Sequence, residues 1–414
     1  MKFIENINKE DYLKFYNKSK YSTLLQSYEW GEFCITGKNQ TPYYVGVSDD
    51  KGNLLGTALL LKHKLRMGKY SFYCPRGFNL DFNNEELLKF FTEELLKFMK
   101  KENVVYLEVD PEIMYQELDN DANVIENGRN NFKIHDYLLS IGYKHKGFNK
   151  LYENNQPRYT FIIDLKSDYE SKMGKSFLKN IAKSSKYQPE VYIGDINDID
   201  YFNELYQMTA QRDDFQGYGP DYYENFYKIF NDSKMTKLFL GKIYPKVILN
   251  NLDQELRETN EELKNITNEN KKDALLKKQE RIFKELEFFN NYKDLKDGLV
   301  VSAHILALYQ DKAVALYAGS NKDFQSTYIN NYVYYEKIKW CEENNYKSLD
   351  LFGVTGDPET KYKNLKGIYE FKKQLGGQLI EYIGEYDLVA DKFYYHLFKI
   401  ITPIYRKIKG IIKK

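Results

Sequence analysis

Residues 43–47 and 54–61 are runs of aromatic, branched and other apolar side chains separated by the polar stretch 48–53. That pattern predicts two strands joined by a turn. Residues 299–309 and 313–318 repeat it around a turn at 310–312. Each hairpin is followed by a loop, then by apolar side chains at helical spacing: Leu87, Leu88, Phe91, Leu95 and Phe98 in the first case, Tyr334, Ile338 and Cys341 in the second. Spacings of three and four place such side chains on one buried stripe of a helix. A further strand is predicted after each helix, at residues 104–109 and 348–352. A mixed sheet with helices, present twice, predicts an α/β protein of two duplicated domains.

Between Pro245 and Gly298 the pattern changes. There is no proline or glycine, and Leu249, Leu252, Leu256, Leu263 and Ile266 fall on a narrow seam interrupted by Thr259. Polar residues at 268–270 break the seam, and a second one runs through Leu275, Ile282, Leu286 and Phe289. Two such stripes in highly charged surroundings predict an antiparallel coiled-coil arm. The expected organisation is a first domain of residues 1–155 plus 384–414 and a second of 156–383, with the arm at 246–297 inserted in the second.

The end of the chain is a second outlier. From Asp391 onward, Lys392, Lys399, Arg406, Lys407, Lys409, Lys413 and Lys414 face a single acid, and Phe393, Leu397, Phe398, Ile401, Ile404, Ile408 and Ile411 form an apolar side. A basic amphipathic end fits anionic lipid or an RNA backbone, or else it closes the first domain with solvated lysines. Pro403 implies a kink within it.

Composition narrows the function classes. A length of 414 residues favours two domains. The net charge of +1 excludes a wholesale basic nucleic-acid binder while allowing a local basic face. Cys34, Cys74 and Cys341 are too scattered for a disulfide framework, and His63, His135, His145, His304 and His396 show no metal-ligand spacing, so neither a metal nor a cofactor is expected. With no apolar signal core and no membrane-spanning run, the expectation is a cytoplasmic chain.

The element order resembles the GNAT acyltransferase unit, but the glycine-rich loop whose N–H groups would cradle an acyl-CoA pyrophosphate is absent after either candidate strand. Five further stretches resemble the FemABX family of peptidoglycan interpeptide-bridge aminoacyltransferases. Leu25-Gln26-Ser27-Tyr28-Glu29-Trp30-Gly31-Glu32-Phe33 is similar to the family's LQSxxWGxF entry, and Tyr73-Cys74-Pro75-Arg76-Gly77-Phe78-Asn79-Leu80-Asp81 to its YxPRGPxxD loop. Leu107-Glu108-Val109-Asp110-Pro111 resembles its LKIDP. Leu316-Tyr317-Ala318-Gly319-Ser320 and the stretch from Gly367 to Gly377 resemble YxYGAS and GLYxFKxxFGG. The resemblance covers nearly the whole chain and implies two GNAT-like domains with a coiled-coil arm. It also implies transfer of Gly, Ala or Ser from aminoacyl-tRNA to the third-residue side-chain amine of a muropeptide precursor, lipid-linked or UDP-linked.

Such a reaction is attack of an amine on an activated ester. It needs positioning, relief of the amine's proton and stabilisation of an oxyanion. Lys372 matches the lysine of the family's FK motif, which implies a role as oxyanion stabiliser, with Phe371 fixing the approach; a solvent-facing lysine is the alternative. Asp110 is the candidate to accept a proton or hold the amine, or else an ordinary turn residue before Pro111. Arg212 matches a phosphate-binding arginine, with an ion pair to Asp213 or Asp214 as the alternative. Tyr317 and Arg76, against readings as a buried strand tyrosine and a structural turn, complete the substrate-binding candidates together with Trp30 of the entry stretch. Two departures stand out: Cys34 occupies the place of a phosphate-binding lysine, for which Lys38 is the substitute at hand, and Leu375 replaces the phenylalanine of FGG. Two other readings remain at this point, a GNAT-type N-acyltransferase using acyl-CoA and a non-catalytic binding module.

Overall fold

The computed structural model describes residues 1–151, 155–213 and 215–399. The strands are β1 (Lys2–Ile4), β2 (Thr41–Ser48), β3 (Leu54–Lys64), β4 (Tyr70–Cys74), β5 (Val104–Val109), β6 (Met114–Glu117), β7 (Tyr143–His145) and β8 (Tyr159–Asp164). They continue with β9 (Glu190–Gly194), β10 (Thr236–Ile243), β11 (Leu299–Tyr309), β12 (Lys312–Ser320), β13 (Ser348–Val354), β14 (Gln378–Tyr382) and β15 (Tyr386–Val389). The helices are α1 (Lys9–Lys18), α2 (Tyr28–Lys38), α3 (Glu85–Lys101), α4 (Phe132–Ser140), α5 (Lys175–Ser184) and α6 (Ile199–Arg212). After them come α7 (Pro220–Asp232), α8 (Pro245–Asn265), α9 (Glu269–Asn290), α10 (Ile329–Glu343) and α11 (Lys363–Lys373).

Two mixed sheets result, in the orders β1-β2-β3-β4-β5-β15-β7 and β6-β14-β8-β13-β12-β11-β10-β9. Each contains one parallel pair, β4–β5 joined through α3 and β12–β13 joined through α10. A parallel neighbour requires a crossover, and in both cases the amphipathic helix supplies it. The duplication expected from the apolar pattern is therefore present, but its register differs by one strand. The counterpart of β12 is β4 rather than β3, the return strand of the first hairpin. β4 falls in a stretch expected as loop, because five residues flanked by a turn and a Pro-Arg-Gly corner carry too short a pattern.

The chain does not stay within one sheet at a time. β6 leaves the first half to edge the second sheet against β14, and β15 returns to lie between β5 and β7. The halves also share a core. Phe33 of α2 meets Tyr222 and Phe226 of α7 edge-on at 4.8 and 5.5 Å, and Trp30 meets Phe230 at 6.3 Å. Such edge-to-face pairs add to what area burial supplies.

The arm is an antiparallel pair of helices, α8 and α9. Its base is part of the second core through Ile248, Leu252, Ile282 and Phe289. Thr259, which looked like a break in the seam, is fully buried and donates its hydroxyl to the Glu255 carbonyl. The seam therefore continues with its polar atom satisfied within its own helix. A helix over 392–399 closes on the first sheet, Tyr395 donating to Asp387 Oδ2 at 2.6 Å. The rest of the basic terminal segment, 400–414, lies outside the described residues. Among the described residues no helix is long and apolar enough to cross a membrane.

Candidate active site

The two parallel pairs differ where it matters. In the first sheet the pairing runs the length of β4, from Tyr70 opposite Val104 to Cys74 opposite Val109. In the second, β12 and β13 pair only from Lys312 opposite Ser348 to Val314 opposite Asp350. Beyond that point β12 continues against β11 as far as Ser320, with a bulge that leaves out Leu316, and β13 follows β8 across an irregularity between Asp350 and Gly353. At that irregularity Phe352 has φ +62°, a left-handed conformation uncommon for a bulky residue. The strands part like a wedge, and a cavity of about 500 Å³ opens there. Leu316 and Tyr317 line it from β12 and Phe352, Gly353 and Val354 from β13. Trp30 and Lys38 of α2, Arg158, Tyr218, Tyr222 and Ile368 of α11 also line it.

Lys372, near the C-terminal end of α11, does not itself line the cavity but reaches the backbone of β13 that forms part of its wall. Its Nζ donates to the carbonyls of Phe352 at 3.0 Å and Gly353 at 2.9 Å, both of which belong to cavity-lining residues. The residue is half-buried but its ammonium end is desolvated, and burial pushes its pKa down to about 8 against the pull of Asp350. An ammonium has three donors, so one N–H is left over once the two carbonyls are satisfied. Asp350 stands one residue before the irregularity, accepting from the Thr160 hydroxyl and, at 2.7 Å, from the Phe352 N–H. Burial raises its pKa despite those hydrogen bonds and the positive charges of Arg76 and Lys372. Asp350 was not singled out from the sequence. The signal available was an acid in the otherwise apolar run Leu349–Phe352.

Asp110 is buried at the end of β5. Its carboxylate accepts from the Arg76 backbone N–H at 2.8 Å and from the Tyr73 hydroxyl at 3.0 Å. Burial pushes its pKa up to about 7, opposed by Arg76. Asp110 thus ties the Pro75-Arg76-Gly77 corner to the strand end, and Gln26 holds the same corner from the other side. The Gln26 amide donates to Pro75 O at 2.7 Å and accepts from Leu59 N–H at 2.8 Å. A side chain on Gly77 would have its Cβ 2.3 Å from Cys74 Sγ, so the corner needs glycine. Arg76 itself turns inward: its Nη2 donates to Pro157 O at 2.5 Å and its guanidinium lies 4.5 Å from the Tyr382 ring centroid.

The other candidates divide. Tyr317 and Trp30 line the cavity; the Tyr317 and Tyr222 hydroxyls share a 3.1 Å hydrogen bond, and Trp30 Nε1 is buried without a partner among the described residues. Lys38 also lines it, its ammonium 4.6 Å from the Trp30 ring centroid, and burial lowers its pKa. Arg212 makes a bidentate pair with Asp213, both nitrogen–oxygen distances being 2.9 Å, and Asp213 lines the cavity. Asp214 lies outside the described residues. Phe371 turns away from the cavity into the second core, edge-on to Tyr334 at 5.1 Å and to Phe177 at 6.5 Å. Asp110 and Arg76 lie outside the cavity wall, behind it. Among the described residues no group of three or more His, Cys, Asp or Glu side chains is placed to hold a metal ion.

Comparison with known proteins covers the same length. The sequence profile of the FemAB family matches residues 7–402. A lipid II:glycine glycyltransferase of Staphylococcus haemolyticus is 28% identical over 435 residues, spanning 98% of this chain and 99% of that protein. One of Staphylococcus epidermidis is 26% identical over 428 residues, with the same two spans. The crystal structure of FemX superimposes with a TM-score of 0.75 at 24% identity, covering 96% of this chain and 99% of that one. The shared fold therefore extends over both sheets.

Proposed function

The chain belongs to the FemAB family, and on that premise we propose that it transfers an amino acid from aminoacyl-tRNA to the third-residue side-chain amine of a lipid-linked peptidoglycan precursor, building the interpeptide bridge. Glycine is the first donor to consider, because both relatives compared above are glycyltransferases that match end to end. The observation that carries the chemistry is the position of Lys372, whose ammonium is held on two carbonyls of the wedge with one N–H unspent.

In this reading the acceptor amine attacks the ester carbonyl inside the wedge. A nitrogen–carbon bond forms, negative charge develops on the carbonyl oxygen, and the remaining N–H of Lys372 meets it in a site largely stripped of water. Collapse breaks the carbon–oxygen bond; the tRNA hydroxyl leaves with one proton, and the second proton lost by the ammonium acceptor passes towards solvent. Asp110, its pKa raised to about 7 by burial, holds the Arg76 corner behind the cavity wall, and its ionised form is the candidate to take up that proton. Lys38 beside Trp30 supplies the phosphate contact that Cys34 cannot. Phe371 acts through packing, by seating α11 against Tyr334. The donor places the reaction on the cytoplasmic side, and the basic segment after Asp391 gives the chain a contact for the anionic lipid around its acceptor.

The test is transfer of labelled glycine, alanine or serine from charged tRNA to purified lipid-linked and soluble muropeptides. Glycine on the lipid-linked acceptor is the expected product. Lys372→Ala should lower kcat by about a hundredfold or more, the usual cost of removing one oxyanion donor. Absence of transfer from every donor to every acceptor would refute the proposal.

A further inference from the structure

Lys337 falls on the same stripe of α10 as Tyr334, Ile338 and Cys341, three residues after the first and one before the second. The structure buries it with them: Lys337 and His304 are both 0% exposed. Among the described residues its ammonium nitrogen has no carboxylate partner. It lies 3.1 Å from His304 Nδ1 and 4.0 Å from the Tyr334 ring centroid. On its far side His304 Nε2 is 2.9 Å from Asn330 Oδ1 and 3.1 Å from Ser302 Oγ, and Ser302 Oγ donates to the same Oδ1 at 3.0 Å. An acceptor oxygen at Nε2 puts the imidazole proton there, so Nδ1 presents a lone pair and Lys337 is the donor. Tyr334 in turn packs edge-on against Phe371, the neighbour of Lys372.

A lysine buried without a counter-ion is costly when charged and sheds its proton instead. A methionine would fill the same space at no such cost, so packing alone does not account for the amine. The groups that act on Lys337 can be named for each side. Burial pushes its pKa down to about 7, Cys341 of its own helix opposes this, and the charge of Lys372 adds to it. His304 faces it from β11, its pKa lowered first by burial and further whenever Lys337 is charged. Lysines on the other elements packed against α10 are engaged elsewhere, Lys183 of α5 over Tyr328 and Lys242 of β10 over Tyr192.

We propose that Lys337 is a positioning residue for Lys372: held as an uncharged amine between His304 and the face of Tyr334, it adds no second ammonium charge behind Lys372. A proton arriving at Lys337 sets a second charge behind α11 and pushes Lys372 away from the Phe352 and Gly353 carbonyls. The link to catalysis rests on the transfer reaction proposed above; the link between the two amines does not.

The experiment is a pH titration of lysine side chains labelled with ¹³C and ¹⁵N, assigned with Lys337→Met and Lys372→Met, together with transfer rates for wild type and Lys337→Met. Lys337 should titrate near pH 7, and its midpoint should rise by about one pH unit in Lys372→Met, since coupled sites share their protons. The ratio of kcat at pH 6 to kcat at pH 7.5 should be severalfold higher in Lys337→Met than in wild type, with KM unchanged. A purely structural lysine would lower stability and leave that ratio alone. A Lys337 charged up to pH 9, a midpoint indifferent to Lys372→Met, or an unchanged rate ratio in an active enzyme overturns the proposal. If Lys337→Met fails to fold, His304→Gln supplies the assignment and the same midpoint criterion applies. If no variant or wild type transfers anything, the function proposed above fails while the titration still decides the coupling.

Discussion

Lys372 differs from the surface lysines of the chain by environment, since the same ammonium in water would be an ordinary solvated charge. Its lowered pKa sets a limit on the alkaline side. An oxyanion stabiliser must be protonated, and with burial holding Lys372 at about 8, its charge is present below that pH and lost above it. We therefore expect kcat to fall as pH rises through about 8. In Lys372→Arg the fall between pH 8 and 10 should disappear, because a guanidinium keeps its charge, although kcat at pH 7 is lower for want of the ammonium's geometry. A pH–rate profile of both proteins checks this, and an alkaline limb retained in Lys372→Arg would assign that limb elsewhere. Little of this was legible at the level of single residues. Lys372 stood out only through the family-like stretch around it. Lys337 lies on the apolar stripe of α10 but was not singled out from the sequence, and its burial shows only in the surrounding His304 and Tyr334. Phe371, in the same family-like stretch as Lys372, faces the core rather than the cavity, a direction that sequence spacing does not encode.

Among the elements, α11 is the one whose placement decides the site, and it is fixed by a loop that comes from the first half of the chain. The Asn120 side chain, in the loop after β6, donates to Gly377 O and accepts from Leu379 N–H, each at 2.9 Å, while the Tyr369 hydroxyl donates to Asn120 O at the same distance. Lys373 is ion-paired to Asp121 in the same loop. Asn120→Ala should lower stability by about 2 kcal/mol, the cost of leaving partly buried backbone groups unpaired. It should also lower kcat more than KM, because Lys372 moves with its helix; chemical denaturation and steady-state rates measure the two effects. The helices and the arm were readable because long periodic stretches carry a strong signal. β4 was not, being short and closed by the Arg76 corner. The wedge was invisible as well, since strands that part look the same in sequence as strands that pair.

For the whole molecule, the exchange of β6 and β15 between the sheets and the shared aromatic core of α2 and α7 make the halves interdependent. Neither half keeps its full sheet without the other. Calorimetry should accordingly show one cooperative unfolding transition, and two resolved transitions would mean that the halves fold separately. The sequence pointed to the duplication and to the return of the last segment to the first sheet. The crossing of β6 was hidden because four half-buried residues, Met114–Glu117, have no face that marks a sheet.

The same duplication offered two places at which parallel strands could part, and one of them stayed shut along all of β4. Under the function proposed here, each polypeptide thus accommodates a single activated ester at any moment. A bridge of several residues cannot be laid down in one residence of a donor. It grows by repeated visits, and its final length reflects how many times the one opening is refilled before the acceptor departs.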